Sequence, residues 1–490
     1  VRLRFVPPAV APALALALAF ACGIGPAFGY DPATTHAGLT ERAVLASSLH
    51  RVLVHRLSRP LGLFEPVLLR ASDLPTAERE GLSARLAVLD PGAGYRPGAD
   101  GSASALVWVI AGSVIAQIPA ERGQHFYFDP SRGAGLSDEG GLLPIGQGLR
   151  QLIDAGGGGV RGLATGTSFN MTGLPSTEWL NSERNDVGLP TYYAELEAAV
   201  AAEDPARRST ALARALLALG GTLAVLEDAG EPAHVRNDFR GAYLSRGGAS
   251  LFDRGSAFEH FVAESYGRMG VPPAASPVSR PTVMAYITGA DGQGLADRTQ
   301  RRFFSDGSLP EDAAVDRDTT AAEVMRDARQ SLPYGLPRLP HLALAAMGQR
   351  QYATAGPHGR RLLAYERVPG RVHFFLDGAV YADTARALLP EIGGYGAGLV
   401  DHLLRGEIRL DAKEGMVTVA FSGARGDVRG GQVRLYAEDA AGKRRAFAAV
   451  DPSAAAVSVA IPAGARRIAA ALRARDDAGE LVAVAETPVR

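Results

Sequence analysis

The sequence predicts a mainly α-helical domain followed by a small C-terminal β-sandwich. Two almost wholly apolar stretches, ALVWVIAGSVIAQI at 105–118 and RRSTALARALLALGGTLAVLEDAG at 207–230, suit buried helices of a large helical core. After residue 406 the pattern changes to short segments of period two, separated by Gly, Asp and Pro turns. With 490 residues the chain exceeds what one core usually serves, so two or more domains are expected. Hydrophobic residues make up 47%, which excludes a disordered chain. A net charge of -1 gives no field to gather nucleic acid or an anionic membrane.

Residues 1–29 read as an export signal. Arg2 and Arg4 precede the apolar run APALALALAFACGIG, and Ala27-Phe28-Gly29 is a small-x-small cleavage site before Tyr30. The run is too short for a comfortable membrane span. Lipid anchoring at Cys22 is the alternative, with Ala19 a poor fit for the bulky aliphatic usual three residues earlier. A periplasmic or secreted protein is therefore expected. Cys22 is the single cysteine, so neither a disulfide framework nor a cysteine-ligated zinc is available.

Along the mature chain, LTERAVLASSLHRVLVHRL (39–57) is an amphipathic helix, with Thr40 or the Thr35-His36 turn as its cap. The apolar helix 105–118 leads into an ordered turn, ERGQHFYFDP, and a Gly-rich loop at 131–160. TYYAELEAAVAAE (191–203) is a helix, the long apolar segment to residue 230 another, and SAFEHFVAESYG (256–267) a third. Prolines and glycines break residues 268–360, with helical pieces around TTAAEVMRDARQSL and LALAAMGQRQYA, and a helix over 382–406 closes the helical part. MVTVAFSG, GQVRLYAED, RRAFAAV, AVSVAIP, RRIAAALRARD and ELVAVAE then form the sandwich. The expected divisions are 1–29, 30–267, 268–406 and 407–490.

Four places set metal-type ligands beside apolar structure: His36, His125, the pair Asp228 and His234 around Pro232, and Glu259 with its neighbour His260. Buried charged groups are costly unless paired or metal-bound, and imidazole and carboxylate are ordinary zinc ligands. A plainer reading also stands for each. His36 caps a helix, His125 is a core histidine, Asp228 pairs with Arg236, and Glu259 faces solvent.

Taken in order, these pieces resemble the bacterial zinc-dependent phospholipases C, which are related in fold to the P1-type nucleases. The resemblance covers residues 30–267. It rests on Tyr30 followed by Thr35-His36, the apolar helix ending in Gly112-Ser113, and the His125–Pro130 turn. The helix with Asp228, Pro232 and His234, and Ser256-x-Phe258-Glu259-x-Phe261, complete it. The resemblance implies three metals held by the N-terminal residue and by His, Asp and Glu side chains. Tyr30, His36 and Asp228 would serve one site, His125 and Asp228 a second, His234 and Glu259 a third, with Asp228 bridging. Such a cluster polarises a phosphodiester and activates water. The implied substrate is a phospholipid headgroup linkage. Some members carry a C-terminal β-domain that helps them engage lipid surfaces. The one here has few exposed aromatics and no acidic calcium loop, so a stabilising or protein-binding module is expected.

The chain departs from that pattern at three ligand positions. Ala224 stands where the family has a histidine one turn before the bridging aspartate. Ala116-Gln117 replaces a Glu-Asp pair, and Gly255 replaces a histidine, with Asp253 nearby. A neutral amide is a poor zinc ligand and cannot act as a base. One or two Zn2+ ions are expected in place of three. The function expected is an exported metal-dependent phosphodiester hydrolase with a reduced site, using Asp228 and a substitute base, Asp129 or Asp253. The alternative is a degenerate relative that binds lipid or a cell-surface partner. A peripheral membrane contact and a monomer are expected. Nucleic acid is disfavoured, because no basic aromatic stripe accompanies the neutral charge.

Overall fold

The computed structural model describes residues 30–89, 94–136, 173–238, 256–269, 273–331, 342, 344, 346–355 and 359–489. The expected leader with Cys22, most of the Gly-rich loop, Asp253 and Gly255 lie outside these residues. The rest is a mainly helical region followed by a β-sandwich.

Helix α5 (Pro205–Asp228) is the axis of the helical region. Asp204 caps it by accepting from the amides of Ala206 and Arg207, and Pro205 occupies the first turn, where its missing N–H costs nothing. By length and composition α5 could cross a membrane, yet from Thr210 to Asp228 only Arg214 escapes full burial. Its apolar surface is spent on the protein core. Helices α3 (Ala105–Ile115) and α4 (Leu189–Ala201) pack along it, and α1 (Ala37–Ala46) and α9 (Gly378–Leu403) close the bundle. Between them in sequence lie α2 (Leu49–His55), α6 (Ala257–Ser265), α7 (Leu295–Arg302) and α8 (Ala321–Ser331).

The expected helix over 39–57 is two, α1 and α2. The chain breaks at Ser47-Ser48, where Ser47 Oγ accepts from the amide of Leu49 and Asp401 accepts from the amide of Ser48. Neither proposed cap operates, since residues Pro32–His36 already form a wide helical turn that leads into α1. The helical piece expected around 342–353 is also corrected. Gly348 takes φ +72, a left-handed conformation that ends any helix there, and Arg350–Ala355 is strand β4. It belongs to an antiparallel sheet ordered β3-β6-β5-β4, with β3 (Ala313–Ala314), β5 (Arg360–Val368) and β6 (Arg371–Phe375). This sheet has its own small core around Val324, Leu363 and Phe374. An earlier two-strand ribbon pairs β1 (Pro66–Leu68) with β2 (Ser102–Ser104).

The sandwich stacks two antiparallel sheets. One has the order β11-β8-β7 (Val457–Ala460, Met416–Ser422, Glu407–Lys413). The other has the order β10-β9-β12-β13 (Arg444–Val450, Val433–Glu438, Arg467–Asp476, Gly479–Pro488). Strand β7 was not anticipated from the sequence. The sandwich is riveted to the helices by arginines. Arg444 is buried, donates to Val200 O at 2.9 Å, and pairs with Glu438 and Glu486 at 2.7 Å each. Arg208 reaches from α5 to Gly442 O at 2.7 Å. Charges withdrawn from water in this way need nearly complete pairing, and here they have it.

Two predictions follow from the packing. A methyl group on Gly112 would run into the carbonyl oxygen of Leu217, and one on Gly220 into that of Val109. Gly112→Ala or Gly220→Ala should therefore cost about 2 kcal/mol or more by forcing α3 and α5 apart. Denaturant unfolding with an unchanged slope would report it. His402, at the end of α9 under the sandwich, is buried against the edge of Tyr286. Burial first, then Arg405 and Arg425, hold its imidazole down at about 4. Such a depressed histidine leaves the unfolded chain to bind the proton alone below about pH 6.5. Stability should thus fall by roughly 3 kcal/mol between about pH 6.5 and pH 4. His402→Gln should remove that share of the acid loss, read from thermal unfolding against pH.

Candidate metal centre

At Asp228 the long helix stops and the chain folds back on itself. Glu231 N–H donates to Asp228 O at 3.0 Å, and Val235 N–H to Glu231 O at 3.2 Å, before a short turn over His234–Arg236. The result stacks Glu227, Asp228, Glu231 and His234 within two turns of chain. Helix α6 brings the remaining carboxylate. Ser256 is its cap, accepting from Glu259 N–H at 3.1 Å, while Glu259 Oε2 accepts from Ser256 N–H at 2.5 Å. The same hydroxyl donates to Glu231 Oε1 at 2.8 Å, which ties the two segments together.

Glu231, His234 and Glu259 each present one ligand atom within 4.8 Å of the others, and all three are buried. His234 Nε2 stands 3.3 Å from Glu259 Oε1, close to the separation of two atoms sharing a tetrahedral ion with bonds of about 2.0–2.1 Å. Neither atom has a hydrogen-bond partner among the described residues. The other side of the ring is fixed. His234 Nδ1 lies 3.3 Å from Phe126 O, and Tyr127 stacks on the imidazole at 3.9 Å. A proton on Nδ1 directed at that carbonyl leaves the Nε2 lone pair facing the carboxylates, as in metal-binding histidines whose other ring nitrogen donates to a backbone carbonyl. Two carboxylates and one imidazole form a donor set that suits one divalent ion of the zinc class.

Beside this triad lies a second network organised differently. Asp228 Oδ1 accepts from Tyr30 N–H at 3.1 Å and lies 3.3 Å from His36 Nε2. Asp228 Oδ2 accepts from Gln117 Nε2 at 2.5 Å. His36 Nδ1 meets Glu227 Oε2 at 2.5 Å, and Thr40 donates to the other oxygen of Glu227 at 2.7 Å. Here a side-chain amide fills the space between an imidazole and a carboxylate.

The electrostatics match the geometry. Burial alone would push His36 down, but Asp228 and then Glu227 reverse it and hold the imidazole at about 10. His234 is likewise opposed by burial, then raised to about 9 by Asp228, Glu259 and Glu231. Burial, followed by their mutual repulsion, raises Glu231; burial, with Asp228 adding to it, raises Glu259. Protons therefore provide the positive charge that these carboxylates require.

The other sequence candidates are placed elsewhere. His125 accepts from Leu174 N–H at 2.8 Å and stacks on Trp179 at 4.2 Å, so its contacts are not with the triad. Burial, then Arg184 and Arg122, lower it to about 4. Asp129 is buried and holds a turn, accepting from Ser131 N–H at 2.9 Å and from Gln300 of α7 at 2.7 Å. Arg236 does not pair with Asp228. It donates to the carbonyls of Gln300 and Phe303, the latter at 2.7 Å. Ala224 is fully buried one turn before Asp228. Sequence reasoning missed Glu231, although Glu231-x-x-His234 is a known i, i+3 ligand spacing. It also missed Glu227, whose only signal was its place next to Asp228.

No protein family's sequence pattern matches this chain, and no curated protein matches it. Among solved structures it is similar to the alpha toxin from Clostridium absonum, at 10% identity and a TM-score of 0.30, over 94% of this chain and 96% of that one. It is also similar to the Clostridium perfringens alpha-toxin from avian strain SWCP, at 9% identity and a TM-score of 0.28, over 94% and 99% of the two chains.

Because His234, Glu231 and Glu259 all hold their protons more tightly than free side chains do, an ion must displace protons to bind. Zinc uptake should release protons, and its apparent affinity should rise between about pH 7 and pH 9, where His234 gives up its proton. Calorimetry in buffers of different ionisation enthalpy would check both. His234→Ala and Glu231→Gln should each weaken binding by tenfold or more.

Proposed function

We propose that this chain is an exported, phospholipase-C-like protein in which Glu231, His234 and Glu259 hold a single divalent ion, with zinc the best fit. The ion locks the end of α5 to the start of α6. Its primary work is binding at a lipid or cell surface, without turnover of phosphodiesters. The observation that carries this reading is the burial of the whole constellation. Tyr30, His36, Gln117, Asp228, Glu231 and His234 are each 0% exposed and Glu259 3%. A hydrolase needs its reacting atoms within reach of substrate and water. Here Asp228 is held by Tyr30, His36 and Gln117, and Asp129 accepts through Oδ1 from its own turn and from Gln300; both carboxylates are 0% exposed, so neither candidate base is turned to a cleft. The phospholipase-C-like part rests on the ordered series of residues from Tyr30 to Phe261, and export on the leader-like residues 1–29.

A second reading, a single-metal phosphodiester hydrolase, has one observation in its favour. Asp306 accepts from Tyr381 at 2.9 Å, and Tyr381 packs on Phe258 and Phe261 of α6, beside Glu259. Burial raises the Asp306 carboxyl to about 6, a range suited to proton transfer at neutral pH.

The two readings part in one pair of measurements on the purified mature chain. Metal analysis should find one zinc per chain. Added zinc should raise the unfolding temperature, and bis(p-nitrophenyl) phosphate and phosphatidylcholine vesicles should both remain uncut. Turnover lost in Asp306→Asn would instead establish the hydrolase, and a chain that takes up no ion would remove the metal from both readings.

A further inference from the structure

Away from the metal centre, a cleft of about 450 Å³ opens between α2 and the sandwich. Arg51 and His55 of α2 and Arg56 just after it form one wall; Glu407 and Arg409 of β7 and Glu486 of β13 form the other. None of these residues belongs to the constellation around Asp228.

The charges do not balance. Glu486 is committed to Arg444 at 2.7 Å and Arg467 at 3.2 Å, so it offers nothing to the cleft. Glu407 is shared between Arg409 at 2.9 Å and Arg56 at 3.9 Å. Arg51 and His55, one helical turn apart, have no hydrogen-bond or ion-pair partner among the described residues. The cleft is thus net cationic, with an arginine free on one wall and a weakly held one, 72% exposed, on the other. Burial, opposed by Glu407 but joined by Arg51 and Arg409, lowers Arg56 from its ordinary value, which places the three guanidinium groups in one field. The walls are also held in place. Glu486 N–H donates to Arg56 O at 2.7 Å, and the Arg56 guanidinium donates to Leu404 O at 2.9 Å and Gly406 O at 2.7 Å.

We propose that this cleft is a binding site for a phosphate-bearing anion, gripped by Arg51 and Arg409 with His55 assisting. Planar guanidinium forks match phosphate oxygens two at a time, and two of them on opposite walls of one cleft can close on the same phosphate. The phosphate belongs either to a soluble phosphomonoester or to a lipid headgroup. The lipid source has a structural basis in the turn that follows α2, where Leu61 and Phe64 are 57% and 59% exposed. Exposed apolar side chains together with a cationic cleft on one protein are the pairing an anionic lipid surface takes, although Leu61 and Phe64 do not line the cleft itself.

The test uses the full chain. Inorganic phosphate is titrated by calorimetry at low ionic strength, and vesicles of phosphatidylcholine with and without phosphatidic acid are tested by co-sedimentation. Saturable phosphate binding should weaken tenfold or more in the double variant Arg51→Gln, Arg409→Gln, and strengthen several-fold in Glu407→Gln. All three side chains are on the surface, so unchanged thermal unfolding shows that the fold is intact. Capture of phosphatidic acid vesicles that is lost both in the double variant and in Leu61→Ser, Phe64→Ser assigns the phosphate to a lipid. Phosphate binding without vesicle capture assigns it to a soluble ligand. The proposal is overturned if wild type binds neither probe, or if the double variant binds as wild type does. No outcome depends on metal at Glu231, His234 and Glu259, so failure here leaves the metal reading untouched.

Discussion

Four carboxylates, those of Glu227, Asp228, Glu231 and Glu259, are buried together at the end of an apolar helix, and the rest of the helical region is arranged around that fact. Carboxylates withdrawn from water are tolerated only when something positive or hydrogen-bonding replaces the water. Around Asp228 the replacements are a backbone amide, a side-chain amide and an imidazole. Around Glu231 and Glu259 they are Ser256, the amide of His234 and the His234 ring. These donors come from four stretches of chain, around Tyr30 and His36, at Gln117, at His234 and at Ser256, so the burial of these charges fixes the relative positions of α1, α3, α5 and α6.

The close crossing of α3 and α5 is part of the same requirement. Gly112 and Gly220 let the two backbones approach until each glycine faces a carbonyl of the other helix. That approach carries Gln117, just beyond the end of α3, against Asp228 and His36. With larger residues at the crossing the amide would stand off, and Asp228 would lose its shortest hydrogen bond. A packing choice in the apolar core thus decides an electrostatic outcome several residues away.

Much of the fold could be read in the sequence because its signals are local. The apolar runs of α3 and α5 and the capping box at Ser256 and Glu259 announce themselves within a few residues. Six of the seven sandwich strands were equally plain. Strand β7 was obscured because four of its seven residues are charged and only Ile408, Leu410 and Ala412 carry the alternation. The site was legible in part for the same reason. Asp228, His234 and Glu259 stood out by spacing, and the structure gathers them in one buried region. His125 could not be placed from sequence, since the Trp179 that takes up its ring lies far along the chain. Glu231 was less legible, because the Ser256 and Glu259 that give it a role lie on another helix.

The two halves of the constellation have answered the same electrostatic need by different means. Near Asp228 the need is met by fixed groups. His36 Nε2 lies 3.3 Å from Asp228 Oδ1, and the Gln117 amide serves the other oxygen, so a metal there would have to displace contacts already made. Near Glu259 the need is met only in part, by Ser256 and the amide of His234, while His234 Nε2 and Glu259 Oε1 face each other without a completed hydrogen bond. Protons exchange for a divalent ion far more readily than a packed amide moves aside. Of the two halves, the triad of Glu231, His234 and Glu259 is therefore the one whose chemistry remains open to an ion. Glu231 completes that donor set.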